Sequence, residues 1–434
     1  MNKVFISLCF FLMGVVVWGQ QESWSLQQCL ETGLKNNRDI KIKKLEWAKA
    51  KKGYVPKLQT MLPLVNLNAS QSYNFGSTID PATNARVSSD ILYDNFYLSS
   101  NFSLLDFSNL SQSGIYKLAI DLAKADEEVV TYEYKMMLLE KFFDALYTQE
   151  LVKIQQEQLQ NTSQNLERVQ DEFNLGKRPK SDLYDMQLSF QQEVKAMQET
   201  EQLLDTQVLQ LFQLMNIDEV PDEVFLLMPN SMVELVEESG EENPKVLQTE
   251  LAYESSLKNI NLQRAALLPV VSAYYEFSTF YYKPLTSATG ETVNSFDYQI
   301  DFNKNHVVGF KLSVPVFNGF KTRRKIKVAK LNSEQMKIKN QDQKVKLAQE
   351  IKVAKTQMSQ YKQLQQTLAV TLDYANKSYI TTEVKYASNK IEIVSFTSVK
   401  NQLLTAKYNV LKNSMLKEFT QLKLNLLKYN AFML

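Results

Sequence analysis

Few residues in this sequence have the types and the spacing that catalysis or metal binding would require. His306 is the only histidine, and Cys9 and Cys29 are the only cysteines, so no cluster has the spacing of metal ligands. The sequence contains no glycine-rich phosphate loop and no nucleophile elbow. Its 14 methionines are scattered, as residues that fill gaps in helical packing are. The sequence therefore predicts neither an enzyme nor a cofactor or metal site.

The charged residues are almost balanced, with 49 Lys and Arg against 48 Asp and Glu among 434 residues. This balance does not favour a polyanionic partner such as nucleic acid. Two basic runs, residues 321–325 and 327–330, follow the last of the strands predicted below. They could contact lipid phosphates or a neighbouring copy of the chain, but the simpler interpretation is the solvated start of a helix.

The most regular pattern is an alternation of apolar and polar residues in four segments, 62–76, 91–105, 270–282 and 302–315. Successive side chains of a strand point to opposite faces, so each segment predicts a strand with one apolar and one polar face. In the first segment the apolar residues are Val65, Leu67, Ala69, Tyr73 and Phe75. The residues between them that carry amides and hydroxyls are Asn66, Asn68, Ser70, Ser72 and Asn74.

Two structures fit such strands. One is a sheet packed against a protein core, and the other is a set of membrane strands with the apolar face toward lipid. The polar faces carry Asn and Ser rather than Lys and Glu, and lengths of roughly 10 to 13 residues suit a tilted membrane crossing. Aromatic residues also gather near the loop ends, namely Tyr73, Phe75, Phe96, Tyr281 and Tyr282. These features favour the membrane. Because four strands cannot close a barrel, several copies of the chain would have to share one.

Long helices are predicted around the strands. Residues 25–52 have the pattern of one helix, and residues 107–175 contain no proline and would form a helix roughly 100 Å long. Gly176 is a suitable C-cap, Ser181 or Asp182 a suitable N-cap, and the chain would return through residues 183–215. A second proline-free tract extends from residue 320 to the C-terminus.

The sequence is duplicated internally. An offset of 213 residues separates Pro56 from Pro269 and Gly176 from Asn389. The first repeat spans about residues 23–215 and the second about residues 245–434, each with a helix, a strand pair, a long helix and a return helix. Residues 216–244 between them hold three prolines and an acidic run, which predicts an irregular connector.

The N-terminal segment has the pattern of a secretory signal over residues 1–19. Lys3 precedes an apolar run over residues 4–17 that is too short for a membrane helix, and Gly19 precedes a plausible cleavage point. After cleavage Cys29 would have no partner for a disulfide. Export together with amphipathic strands points to the outer membrane of a two-membrane bacterium.

The chain resembles the TolC-type outer membrane efflux proteins over residues 20–434. The most specific segment is Phe173-Asn174-Leu175-Gly176 followed by Ser181-Asp182-Leu183, and segments 265–269 and 314–319 are consistent with the same family. The resemblance implies a mainly α-helical fold with a membrane β-barrel portion, built from duplicated long-helix hairpins and four membrane strands per chain. Three chains would close a 12-strand barrel that continues as an α-helical tunnel. Residues 216–244 and the chain ends would form an equatorial domain.

The resemblance also implies a location and partners. The homotrimer would lie in contact with outer membrane lipid and extend into the periplasm, where an adaptor would dock on the helical tips and connect it to an inner-membrane pump. By motif, the residues of the first tip are Phe173, Leu175, Gly176, Ser181 and Asp182. Those of the second tip are Tyr386, Ser388 and Asn389.

The second tip departs from the family pattern. Where family members often carry a glycine and two acids three residues apart, this chain has Asn389, Ser395 and Ser398, so an acidic constriction ring is not expected there. Asp182 and Asp185, also three apart, lie on the first tip instead. Asp182 is expected to cap a helix, and our hypothesis is that Asp185 sets any charged narrowing, with Ser395 and Ser398 as further constriction candidates.

The predicted function is that of an exit duct in a tripartite efflux or type I secretion system, which passes solutes from the pump to the exterior. The alternative belongs to another class, an exported coiled-coil scaffold without a pore. The two differ in what covers the apolar strand faces. In a duct these faces meet lipid, whereas in a scaffold they pack against the protein's own helices.

Overall fold

The computed structural model describes residues 22–79, 86–88, 90–221, 223–229, 243–285 and 293–431. The predicted signal segment and the acidic run of the connector lie outside these residues. The helices are α1 (Leu26–Asn36), α2 (Arg38–Lys52), α3 (Phe107–Asn174), α4 (Lys180–Leu214), α5 (Pro244–Ala265), α6 (Phe296–Phe302), α7 (Lys321–Ala387) and α8 (Ile393–Tyr429). The strands are β1 (Glu22–Trp24), β2 (Leu64–Asn74), β3 (Ser77–Ile79), β4 (Arg86–Ser88), β5 (Ile91–Leu105), β6 (Val224–Leu226), β7 (Val270–Pro284) and β8 (Asn305–Ser313).

The chain divides into two compact units. The helical unit comprises Met1–Leu45, Lys124–Gln248 and Asp342–Leu434, and the sheet unit comprises Glu46–Ala123 and Thr249–Gln341. Within the described part of the chain, no helix combines the length and the hydropathy that a membrane-spanning helix needs.

The sheet unit contains a four-stranded antiparallel sheet in the order β2-β5-β7-β8. The four predicted strands are confirmed, although the predicted bounds 62–76 and 302–315 are too long at both ends. The prediction of 270–282 ends too early, because β7 continues to Pro284 alongside Ile91. The two repeats meet where β5 of the first repeat pairs with β7 of the second, a pairing that we call the β5–β7 seam.

The strand register places apolar residues of all four strands on one face. Leu67 lies opposite Leu98, and Leu98 opposite Phe277. Ala273 lies opposite Phe310. On the edge strands this face is open, with Leu67 75% and Phe310 78% exposed. The other face carries the residues with amides and hydroxyls. The sheet therefore has the two-faced character that the alternation predicts.

A short helix covers the loop end of the apolar face. This helix, α6, begins after Ser295, whose side chain accepts a hydrogen bond from the Tyr298 amide. Phe296 packs edge-to-face on Phe96 with ring centroids 6.2 Å apart, and Thr279 Oγ1 donates to the Ile300 carbonyl at 2.7 Å. A helix this short depends on such packing, which local sequence does not reveal.

The helical unit packs around α3, a continuous helix of 68 residues, as the proline-free tract predicts. Its largest core cluster includes Leu138, Phe142 and Leu146 of α3 together with Leu211 and Phe212 of α4. The connector contributes β6, which pairs in parallel with β1 near the N-terminus. The prediction of an irregular connector is therefore wrong at residues 224–226, where a strand forms.

The predicted single helix over residues 25–52 is divided at Asn37. Its amide donates to the Gly33 carbonyl at 2.8 Å, and its Oδ1 accepts from the Ile40 amide at 2.9 Å, so Asn37 ends α1 and caps α2. Gly33 is required because a Cβ there would lie 1.8 Å from the Tyr134 hydroxyl. Cys29 is a free thiol in the same core, and burial raises its pKa to about 12.

Candidate functional site at the helical tips

The two predicted tips have the same backbone geometry. Gly176 adopts φ +71° after α3, and Asn389 adopts φ +56° after α7. In each turn the amide of the residue after Gly176 or Asn389 donates to a carbonyl of the last helical turn. The Lys177 amide donates to the Glu172 carbonyl at 2.8 Å, and the Lys390 amide donates to the Lys385 carbonyl at 2.9 Å. Both are Schellman motifs, which satisfy carbonyls that a helix end leaves free. Asparagine is the non-glycine residue that tolerates this conformation best, so the 213-residue offset predicts the second turn correctly.

Arg178 connects the two tips. Its side chain is only 3% exposed, and it forms a salt bridge with Glu172 through Nε and with Asp182 Oδ2 at 3.3 Å. Its Nη2 donates to the Tyr386 carbonyl at 2.7 Å, and the guanidinium lies 4.2 Å from the centre of the Tyr386 ring. Burial works against the charged guanidinium, but the hydrogen bond to Glu172 and the neighbouring negative charges raise the pKa of Arg178. This one cation therefore holds the turn after α3 against the end of α7.

Tyr386 is the centre of a small core beneath the tips. It is completely buried, and its ring stacks on Phe396 with centroids 4.6 Å apart and planes 5° apart. The cluster around the two rings consists of Val169, Leu183, Met186 and Ile393. Burial raises the pKa of the Tyr386 phenol, so the side chain stays neutral at physiological pH. The tip is thus a packed structure with an exposed end rather than a loose loop.

The predicted tip residues fall into buried and exposed groups. Tyr386 and Phe173 belong to the small core, whereas Leu175, Gly176, Ser181, Ser388 and Asn389 are exposed. The prediction that Ser181 or Asp182 caps the return helix is wrong. Helix α4 begins at Lys180 with Pro179 at the capping position, which leaves Asp182 in the first turn. A carboxylate is favourable there because the helix dipole is positive at that end, and Asp182 is also free to pair with Arg178.

Of the three constriction candidates, one lies in a groove between the tips. Asp185 is exposed on α4 and lines a groove of about 570 Å³ together with Asn389, Lys390 and Glu392. Ser395 and Ser398 lie on α8 and are exposed, but they do not line this groove.

A second buried polar cluster lies farther along the same helices. Lys400 of α8 is only 2% exposed. Its Nζ lies 2.5 Å from Glu193 Oε1 and 3.0 Å from Ser189 Oγ, both on α4, and 3.4 Å from Thr162 Oγ1 on α3. One lysine thus ties α8 to two other helices. Removing it would leave a largely buried carboxylate without its counter-ion.

The sequence analysis missed Arg178, Glu172, Lys400 and Glu193. Arg178 and Asp182 are four residues apart, a spacing at which opposite charges pair on a helix, so that contact had a local signal. The contact between Arg178 and the Tyr386 carbonyl joins residues 208 positions apart, and no local pattern marks it. Lys400 has no signal either, because a lysine on a long helix is normally solvated.

Comparison with known proteins finds a family that the second half of the chain resembles. Residues 235–424 match the sequence model described as outer membrane efflux protein. Over these residues the chain is similar to the outer membrane efflux proteins. This match includes the second tip and most of the second repeat. The family is one of transport proteins of the outer membrane and not of enzymes. A search of curated proteins found no match.

Solved structures of outer membrane channels share the fold of this chain. CusC is 14% identical with a TM-score of 0.79, over 93% of this chain and 91% of CusC. The Campylobacter jejuni CmeC channel is 14% identical with a TM-score of 0.78, over 94% of this chain and 86% of CmeC. VceC of Vibrio cholerae is 12% identical with a TM-score of 0.76, over 92% of this chain and 94% of VceC. At such low identities the likeness is one of fold.

Proposed function

We propose that the chain is one subunit of an outer membrane exit duct, which passes solutes from an inner-membrane pump and a periplasmic adaptor to the exterior. The observation that carries the proposal is the two-faced sheet, whose apolar face stays open along both edge strands. Burying such a face in lipid removes a large apolar area from water, whereas leaving it in water is unfavourable. The coiled-coil scaffold would require helices over this face, and among the residues that the structure describes only α6 packs on it, at the loop end.

The unpaired edges of the sheet support a shared barrel. Strands β2 and β8 are the edges, and they expose rows of backbone amides and carbonyls. In lipid these groups must be paired, so β8 of one copy would pair with β2 of the next. Four strands from each of three copies would close a barrel of 12, above the minimum of about eight. The polar faces would then line a water-filled lumen.

We propose the exposed residues of the two tips as the docking surface for the adaptor. Leu175 is 69% exposed at the end of the first turn, although it is apolar. Ser388 and Asn389 are exposed at the equivalent place on the second. The Arg178 contacts hold the two turns together, so they would present one continuous surface. An apolar residue at the centre of a polar rim is typical of protein interfaces.

The proposal is tested by extraction and by conductance. The full chain, expressed in a two-membrane bacterium, should resist extraction of the membranes with sodium carbonate and dissolve only with detergent. The purified protein should then insert into planar bilayers and give discrete conductance steps. Extraction by carbonate without detergent, or purified trimers that never conduct, would leave the scaffold as the better description.

Substitution of Asp185 is expected to change the ion selectivity of the channel. A carboxylate at a narrowing attracts cations, and three copies would triple its effect. We expect Asp185→Ala to lower cation selectivity and to weaken block by multivalent cations, both measured from single channels. Asp171→Ala removes an exposed carboxylate from the last turns of α3 and should leave both unchanged. If Asp185→Ala conducts and is blocked like the parent protein, Asp185 does not set the narrowing.

A further inference from the structure

The start of α7 carries an unusual concentration of positive charge. We call residues 321–330 the basic segment. Its six cations in ten residues are Lys321, Arg323, Arg324, Lys325, Lys327 and Lys330. All six are exposed, and within the described part of the chain none of them forms an ion pair. Six exposed like charges within three helical turns repel one another, so the segment lacks a counter-charge of its own.

The position of these charges on the helix makes the imbalance greater. The N-terminal end of a helix dipole is positive and favours anions, yet the first turn of α7 contains no acid. The equivalent helix of the first repeat, α3, has an acidic residue directly before it: Asp106 Oδ1 accepts a hydrogen bond from the Ser108 amide at 2.8 Å. Residues 107–116 carry no charge at all. The residue aligned with Asp106 in the second repeat is Asn318, which is neutral. Only the second repeat therefore lacks an anion at this end.

The segment just before the cations has the character of a membrane boundary. Between β8 and α7 the chain exposes Val316, at 93%, and the rings of Phe317 and Phe320, which lie edge-to-face 5.5 Å apart. Phe320 is held at φ +62°, a conformation that bulky residues adopt only under local constraint. Aromatic residues concentrate at the level of lipid head groups. Apolar strand, aromatic pair and cations thus follow one another along the chain.

The cations also line a concave surface. Lys321, Arg324 and Lys325 line a groove of about 470 Å³ with Asn259 and Gln263 of α5. Amide groups and cations together are the donors that a phosphate diester needs, because its oxygens accept several hydrogen bonds. The groove lies within the sheet unit, at the end of the sheet where β8 leaves it.

We propose that the basic segment and its groove bind the head groups of anionic phospholipids in the periplasmic leaflet of the outer membrane. Charge complementarity favours a polyanionic surface, and continuity with the apolar sheet favours lipid over a free anion. Clusters of Lys and Arg beside a membrane-spanning segment attract anionic lipids, and each cation contributes roughly a fivefold gain in binding. This proposal rests on the proposed function in one respect, because the proposed function places the sheet in the membrane.

Lipid binding by the purified protein tests this proposal. The triple variant Lys321→Gln/Arg324→Gln/Lys325→Gln removes the charged lining of the groove. Its control, Lys339→Gln/Lys352→Gln/Lys355→Gln, removes three exposed cations farther along α7. Binding of phosphatidylglycerol, phosphatidylcholine and free glycerol phosphate is measured in detergent by native mass spectrometry and titration. We expect the groove variant to bind phosphatidylglycerol about 100-fold more weakly, with little change for phosphatidylcholine and for the control.

Other outcomes would overturn the proposal. Equal losses in the groove variant and the control would mean that only net charge matters. Binding of glycerol phosphate as tight as that of phosphatidylglycerol would indicate a free-anion site. Loss of the trimer with unchanged lipid binding would assign the segment to a contact between copies. Single-channel conductance, recorded on the same variants, reports separately on the duct, so its absence in the parent protein would count against the proposed function and not against lipid binding.

Discussion

Lys400→Met is expected to separate α8 locally from α3 and α4. The substitution leaves Glu193 largely buried without its counter-ion, and losing one partner of a buried ion pair costs about 3 to 5 kcal/mol. Because a chain of this size with two units does not unfold in one step, the suitable measurement is local. Amide hydrogen exchange of residues 186–196 and 397–404 should be at least 100-fold faster, and that of the β5–β7 seam unchanged.

Two further variants decide the cause of this effect. Lys407 also joins α8 to α3, through Glu157 at 2.9 Å, but both side chains are partly or fully exposed. Lys407→Met should therefore cost at most about 1 kcal/mol. The double variant Lys400→Met/Glu193→Leu removes both charges and should recover most of the lost protection, because apolar replacements of a buried pair are often neutral. If Lys400→Met exchanges like the parent protein, the pair contributes nothing to holding the helices together.

Arg178→Met is expected to release the two tip turns from each other. Glu172, Asp182 and the Tyr386 carbonyl would all lose a donor, and the ring of Tyr386 would lose the guanidinium above it. The desolvation of these unpaired acceptors should lower the local stability of the tip by about 3 kcal/mol. The Lys177 and Lys390 amides, which close the two Schellman turns, should then exchange about 100-fold faster.

Conservative and neighbouring variants test the role of Arg178. Lys keeps the charge but cannot reach three acceptors with one planar group, so Arg178→Lys should recover only part of the protection. Lys177→Met removes an exposed cation from the same turn and should have no effect on either amide. Unchanged exchange of Lys390 in Arg178→Met would show that the second turn is held by the packing of Tyr386 on Phe396 instead.

Local rules predicted those parts of the structure that local physics determines. Gly176 marks the end of α3 because glycine adopts φ +71° without strain, and the 213-residue offset transfers the same turn to Asn389, the residue type that tolerates such a φ next best. Strand alternation predicts which residues share a face, and the register of β2, β5, β7 and β8 confirms that face. The family resemblance covered the same elements.

The features that the sequence did not predict depend on distant contacts. Helix α6 forms because Phe296 packs on Phe96, and β6 forms because β1 supplies its partner. The capping position of α4 fell on Pro179 instead of Ser181 or Asp182, because Asp182 pairs with Arg178 from inside the helix. Lys400 has the sequence context of an ordinary surface lysine, and it is buried only because α3 and α4 pack against α8 around it.

Because β5 pairs with β7, the four-stranded sheet can be completed only after the second repeat is present. Strand β5 ends at Leu105 and β7 begins at Val270. The first strand pair, β2 and β5, therefore has an unpaired edge on β5 until the second repeat has been made and exported. Contacts between residues so far apart in the chain form slowly, and the unpaired edge of β5 can meanwhile pair with a wrong strand. We therefore expect the four-stranded sheet to form late in folding, after both repeats are present.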